Sequence, residues 1–475
     1  MNRTIPLVLA VALFMEHMDS TVISTSLPAI AADIGASPIT LKLALTAYYV
    51  ALAVFIPVSG WMADRFGARR VFRAAILVFV AGSVACAASG SLVEFVGARF
   101  LQGMGGAMMT PVARLVLVRS TPRSALVAAM AWLAVPALVG PLVGPPVGGF
   151  ITTYFSWHWI FIINVPIGLA GVLVAGRVLP EMPPVPVGRI DWKGFLLTAV
   201  ASAGIVFGLS VVSLPALPPA VGLSTLALGV AAAFAYVGHA RRTANPILDL
   251  RLLDNPAPRI ALASGMLFRI GLGAVPFLLP LLFQLGFGLT PFASGMLTFA
   301  SAIGAIALKF IATTTLRLAG FRTVLIVASL SGAALMAANA FFTPATPHWL
   351  IIVVLIAAGF TRSLFFTSSN ALVFAEIDDR QASQATAIAA VAQQVSVALG
   401  VAIAGLFLEA HHMATGEEAS LSAFFVAFLG VAALAASSVL PILRLAPDAG
   451  RAVSGHNGAR RSAATARSSV ERGGE

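Results

Sequence analysis

Charge is scarce in this sequence. Only 10% of its 475 residues are Asp, Glu, Lys or Arg, against about 25% in a soluble domain. A chain this long and this poor in charge cannot cover its own surface with polar groups, so lipid has to be the solvent for most of it. Cysteine is nearly absent. Cys86 stands alone inside an apolar run, which excludes a disulfide framework within the chain. No H-E-x-x-H, G-x-S-x-G or G-x-x-x-x-G-K-[ST] pattern occurs, and neither does a metal-ligand cluster. These absences argue against an enzyme and against a self-contained ATP-driven pump. No catalytic residue, cofactor or metal is expected.

What the sequence has instead is apolar length: 59% apolar residues and a mean hydropathy of +0.96. In lipid the backbone must satisfy its own hydrogen bonds, which leaves helices or a closed barrel. The apolar runs reach about 20 residues and do not alternate with polar ones, so they read as spanning helices. About fourteen spans are predicted, at 5–31, 41–63, 71–90, 92–118, 124–152, 157–179, 191–212, 216–238, 258–285, 290–314, 322–343, 347–372, 382–410 and 419–443. The N-terminal run lacks a clear small-residue cleavage site, and its apolar pattern resumes after Asp19. It reads as a retained first span.

The net charge of +11 does not point to nucleic acid, because the cations are not gathered on one polar face. They sit in every second loop: Arg65, Arg69, Arg70 and Arg73; Arg119 and Arg123; Arg177, Arg189 and Lys193; Arg241, Arg242, Arg251 and Arg259; Arg317 and Arg322; Arg380. The alternate loops carry almost none, Lys42 being the exception. This places both termini in the cytoplasm. Polar stretches at 180–190 and 239–257 isolate a hairpin of two spans. The expected division is a six-span bundle at 1–180, a two-helix insert and linker at 181–257, a second six-span bundle at 258–443, and a disordered basic tail at 444–475. A faint repeat supports it: Gly60 to Arg70 after span two, and Leu316 to Arg322 after span ten, both put glycine and arginine in a tight turn.

A few ionisable and polar residues fall at membrane depth, where they are costly unless paired, protonated or wet. Asp19 lies near the middle of span one, with Glu16 one turn before it and His17 between. These carboxylates are proton-coupling candidates, with a structural ion pair as the alternative for Asp19. Arg99, inside span four, could hold a carboxylate charged until the helices shift, or act as a static organiser. Arg269 and Arg362 lie near the midplane of spans nine and twelve, and the second half offers no acidic residue at that depth. They could pair with Asp19 or Glu16 in one access state, or bind an anionic group on a substrate. Asn370 and Gln284 complete the substrate-binding candidates.

Several segments resemble a known family. Gly60 to Arg70 is similar to the G-x-L-A-D-R-x-G-R-K signature of the major facilitator superfamily, with one departure at Ala68-Arg69-Arg70. Met18 to Ile23 with Leu27-Pro28 resembles the first-span motif of its drug:proton antiporters. Arg99 to Gly106 resembles the fourth-span motif, and Gly140 to Gly149 the fifth-span antiporter motif. Trp157 to Pro166 and Asp191 to Gly194 look like the fourteen-span branch. Text around Arg269 and Arg362 resembles the bacterial multidrug-resistance protein D group. The resemblance covers nearly the whole chain except the tail. It implies an all-α major facilitator fold in the bacterial inner membrane and a proton-driven exporter of small organic compounds or drugs.

Gating residues would be Asp64, Arg65, Gly67 and Arg69 in the turn after span two, and Gly140, Pro141, Gly144, Pro145 and Gly148 in span five. Small residues there allow close helix approach, and prolines allow bending. Two alternatives stay open: an exporter of organic anions or metal–anion chelates such as citrate-like compounds, and a proton-coupled uptake symporter. The partners expected are a small-molecule substrate, protons and the bilayer. A monomer is expected, with an accessory membrane-fusion protein as an open question.

Overall fold

The computed structural model describes residues 4–121, 126–184, 188–212, 217–307, 312–374, 382–417, 419–446 and 449, and the side chains of all of these except 126–138, 312–314, 374 and 382–383. Arg123, Arg380 and most of the 444–475 tail therefore lie outside the described residues. The regular structure within them is helical. In chain order the long helices are α1 (Thr4–Val22), α2 (Lys42–Phe66), α3 (Ala68–Ala87), α4 (Leu92–Ser120), α5 (Leu126–Tyr154), α6 (Asn164–Val178), α7 (Trp192–Val211), α8 (Pro219–Arg242), α9 (Pro256–Leu281), α10 (Pro291–Ala307), α11 (Ala312–Ala338), α12 (His348–Phe374), α13 (Ala382–Thr415) and α14 (Leu421–Ala436).

Each helix coincides with one of the apolar runs, and polar side chains set several of the ends. Ser91, Asp191, Asn255 and Ser420 accept hydrogen bonds from the backbone N–H groups of Glu94, Gly194, Ala257 and Ala423, which the first helical turn leaves without an internal acceptor. Among the described residues, twelve stretches are long and apolar enough to cross a bilayer. In the expected order of about fourteen, the fifth and tenth places are held by α5 and by the 17-residue α10.

Helices α1–α6 pack among themselves, as do α9–α14, giving two bundles. The bundles meet along two seams, α2 against α13 and α5 against α10. Helices α7 and α8 form the two-helix insert. Their backbones touch, since a Cβ at Gly204 would fall 2.7 Å from Gly229 Cα. Helix α7 leans on both α2 and α13, where Val206 joins Val50, Val54 and Ala398 in one small core.

Apolar packing differs between the two ends of the molecule. At the end away from the chain termini, one core runs through both bundles, from Val22, Ile23 and Leu27 to Phe277, Phe283, Val401 and Leu408. Towards the termini the cores separate. One holds Leu9, Phe72 and Val112 of the first bundle, the other Phe321, Phe365 and Ile442 of the second. After the second helix of each bundle the chain turns on a glycine in the left-handed region: Gly67 at φ +90° between α2 and α3, and Gly320 at φ +71°, a kink within the Ala312–Ala338 stretch of α11. The two turns correspond in position, so the faint repeat in the sequence is also a repeat in the backbone.

Candidate functional site

Four helices of the first bundle converge on one carboxylate. Arg99 Nη1 donates to Asp19 Oδ2 at 2.8 Å, while Gln102 Nε2 and Asn164 Nδ2 donate to Oδ1 at 2.9 and 2.7 Å. Arg99 also donates to Gln102 Oε1, and Gln102 reaches Ser83 Oγ at 2.8 Å. Asp19, Gln102 and Asn164 are fully buried and Arg99 is 1% exposed. The reason for this placement is local. Gln102 follows Arg99 by three residues, so both leave the same face of α4. Asn164 opens α6 just after the short helix Trp159–Ile162 and points back into the bundle. An ion pair this deep is held together because desolvation makes separated charges costly, although Arg99 Nε and Asn164 Oδ1 are buried without a hydrogen-bond partner.

A second tier lies one turn away. Glu16 accepts from Tyr48 Oη and Thr110 Oγ1, each at 3.4 Å, with His17 Nδ1 3.4 Å from Glu16 Oε2. Tyr48 joins the tiers: the Arg99 guanidinium carbon sits 4.3 Å above its ring. The proton-coupling candidates Asp19, Arg99 and Glu16 thus form one polar network inside the bundle.

The fifth-span glycines pack directly onto the helix that carries Asp19. A Cβ at Gly140 would meet His17 Cβ at 2.9 Å, one at Gly144 would meet Thr21 Oγ1 at 2.0 Å, and one at Gly148 would meet the Val22 carbonyl oxygen at 2.2 Å. The repeat of four puts all three on one face of α5. The other face meets the second bundle, where a Cβ at Gly295 would lie 2.3 Å from the Pro145 carbonyl oxygen. Pro141 is exposed.

The turn after α2 is tied within the first bundle. Asp64 Oδ1 pairs with Arg119 Nη2 at 2.7 Å, Arg69 donates to the Gly176 carbonyl and lies 3.6 Å from Glu181, and Arg65 is exposed. A Cβ at Gly67 would meet the Met182 carbonyl oxygen at 2.8 Å. On the insert, Asp191 joins three segments: it caps α7, pairs with His239 Nε2 at 2.8 Å and accepts from Ile247 N–H at 3.3 Å. Burial works against its charge, but the bonds from Gly194, His239 and Ile247 hold its carboxyl below the usual carboxylate range.

In the second bundle, Arg269 donates to Asn370 Oδ1 at 3.1 Å and lies 4.6 Å over the Phe366 ring. Arg362, Phe366 and Asn370 follow at intervals of four on α12, so Arg362 shares the stripe that Arg269 touches. Among the described residues neither arginine enters an ion pair. Gln284 sits elsewhere, at the closed end, donating to the Thr25 carbonyl of the first bundle at 2.9 Å. Gln102, Asn164, Ser83 and Tyr48 escaped the sequence reading as site residues. Gln102 and Asn164 lay inside segments read only as text, whereas Ser83 and Tyr48 gave no signal in one dimension.

The sequence model described as Major Facilitator Superfamily matches residues 9–248 and 261–473. The chain belongs to the major facilitator superfamily. It is 36% identical over 444 residues to a protein bearing the name multidrug resistance protein MdtD from Pectobacterium carotovorum subsp. carotovorum, covering 93% of this chain and 95% of that one. With the protein of the same name from Klebsiella pneumoniae subsp. pneumoniae it shares 34% over 446 residues, 93% of this chain and 94% of that one. Among solved structures, a D-xylose–proton symporter superposes with a TM-score of 0.67 at 16% identity, covering 94% of this chain and 98% of that one. A peptide transporter, POT, in complex with sulfate gives 0.69 at 14% identity, covering 94% and 95%. At such identities the solved structures speak for the fold alone. As a superfamily member the chain is a multi-pass membrane transporter of small molecules and not an enzyme.

Proposed function

We propose that this transporter is a proton-coupled antiporter that exports small organic compounds across the bacterial inner membrane by alternating access, with both termini in the cytoplasm. The observation that carries the reading is Asp19: a carboxylate held by arginine in a buried bundle core, on the helix whose other face the fifth-span glycines clasp. Protonating it removes the charge that Arg99 pairs with, so the two protonation states favour different helix arrangements. The MdtD name of its relatives supports a drug-type cargo. The bundle limits adopted are 1–180 and 258–443, with 181–257 as insert and linker. With the termini in the cytoplasm, the core shared by both bundles seals the outer side. The glycines and prolines of the fifth span, and the Asp64–Arg119 and Arg69 contacts, would then govern the change of state.

The test is a transport assay in inverted vesicles with an imposed pH gradient. Addition of an exported compound should dissipate the gradient, and Asp19→Asn should abolish this while leaving counterflow exchange. Gradient-driven transport unchanged in that variant would remove Asp19 from the mechanism. A second reading, export of organic anions or metal–anion chelates, is favoured by Arg269 and Arg362 flanking Phe366 with no ion-pair partner among the described residues. In the same assay it requires a response to citrate-like anions and none to organic cations.

A further inference from the structure

Two arginines of α3 converge on Gly176, in the last turn of α6, at the end of the molecule nearer the chain termini. Arg69 donates to the Gly176 carbonyl and lies 3.6 Å from Glu181. Arg73, one turn on, lays its guanidinium against the Gly176 backbone: a Cβ there would fall 3.1 Å from Arg73 Cζ, so a larger residue would crowd it. Arg69 already serves the carbonyl end of α6, and Arg73 makes no such bond. The Nε of Arg73 is buried with no hydrogen-bond partner. Its terminal nitrogens have no partner among the described residues either, and they are not buried. Arg70 and Arg177 are exposed and equally free of hydrogen bonds and ion pairs among the described residues. Further from the termini the two helices pack closely, where a Cβ at Gly168 would lie 2.3 Å from Val80 Cγ2. Beside that contact Leu77 and Leu173 are 45% and 58% exposed.

We propose that the α3–α6 seam binds an anionic phospholipid from the leaflet on the side of the chain termini, with Arg70, Arg73 and Arg177 on its phosphodiester and Leu77 and Leu173 along its acyl chains. Arg73 stands five residues after the start of α3 at Ala68. That is about 8 Å into the helix, the depth at which a spanning segment passes from headgroups to hydrocarbon. A guanidinium there is costly against hydrocarbon and well matched to a phosphate, which it can meet with two parallel N–H groups. The lipid supplies an anion for three cations that have no carboxylate of their own. A zwitterionic headgroup fits less well. Its ammonium would stand among the arginines, and Glu181, the acid just beyond α6, already lies against Arg69. Arg69 also binds this end of α6 to the start of α3, so a lipid held here braces the Gly67 turn from the membrane side. The proposal needs only that the chain spans a membrane, and it stands apart from proton coupling and cargo.

The test uses the full-length protein in detergent and a dioleoyl phosphatidylglycerol with a photoreactive diazirine in one acyl chain. Mass spectrometry locates the cross-links, which should fall on the peptides that contain Leu77 or Leu173. Excess unlabelled phosphatidylglycerol should suppress them, and the same excess of phosphatidylethanolamine or of inorganic phosphate should not. Arg73→Gln should lower the yield at the seam by roughly fivefold, the effect of one cation near an anionic headgroup. Arg242→Gln, which alters an exposed arginine at the end of α8, should leave it unchanged. Suppression by phosphatidylethanolamine as strong as by phosphatidylglycerol would refute an anionic site. Suppression by inorganic phosphate would make free phosphate the ligand and overturn the lipid. Equal yields in Arg73→Gln and Arg242→Gln would reduce the cluster to a general positive surface and refute the site. Where Arg73→Gln does not accumulate, Arg70→Gln with Arg177→Gln decides, since both side chains are exposed: a yield lower by about tenfold or more supports the site, and the parent yield refutes it.

Discussion

Arg99 and Asp19 face each other at 2.8 Å across 80 residues of sequence, both buried inside the first bundle. Removing the arginine alone leaves a buried carboxylate with no cation. Arg99→Ala is expected to cost about 3–5 kcal/mol, and Asp19→Asn with Arg99→Gln to cost much less, because no bare charge remains. Thermal unfolding of the detergent-solubilised protein checks both. Equal losses in the two would mean that the charge pairing is not what the site depends on.

The glycine face of α5 makes a sharper prediction. At Gly148 an added methyl would run into a backbone carbonyl, which cannot rotate away. Gly148→Ala should cost about 1–3 kcal/mol through overpacking and sharply reduce transport. Gly97→Ala, in α4, meets nothing within 4 Å and should leave both unchanged. Transport rates at matched membrane levels compare the pair.

Asp64 and Arg119 are partly exposed, with 29% and 36% of their side chains accessible. A pair of this kind adds only about 0–1 kcal/mol. Asp64→Asn should hardly move the unfolding temperature, so a large fall in transport in that variant would report on the change of state and not on folding. Unchanged transport would leave the turn an anchor.

Arg269 and Arg362 offer a test of cargo charge. If they hold an anionic group, Arg269→Gln should weaken binding of citrate-like anions by about tenfold or more and spare organic cations. Titration calorimetry on the purified protein distinguishes the two. Equal weakening for both kinds of ligand would count against an anion site.

For Asp191 the pH dependence has a definite sign. Its carboxyl titrates below the ordinary 3.8. The stability it adds is therefore present above that value and is lost as pH falls through the lower, folded-state value. Asp191→Ala should cost about 1 kcal/mol at neutral pH, as loss of a helix cap does, with the difference from the parent shrinking only in strong acid. A difference already gone at pH 6 would refute this.

Much of this was legible in the sequence. Apolar runs of bilayer length leave the chain little choice but helices, so α1–α14 fall on the predicted spans. The Gly60 to Arg70 segment gave the tight turn and its family. Asp19 and Arg99 stood out because a charge at that depth needs a reason. Their being partners was not legible, since it depends on how α1 and α4 face each other. Lys42 shows the limit most plainly. In one dimension it is an exception in a loop otherwise free of cations, and only the packing of α2 on α13 supplies its carboxylate, Glu409. Gln284 looked like a cavity residue from its depth, yet the π-turn at Leu282–Gly286 carries it to the Thr25 carbonyl.

The cradle around Asp19 is shared out among helices: α1 supplies the acid, α4 the arginine and amide, α6 a second amide, α3 the serine that supports both amides. No single strut can slide without stretching a bond that another strut also needs. If protons drive the cycle as proposed, one arriving at this carboxylate would loosen four helices at once, so that the smallest of ions would move the largest parts of the molecule.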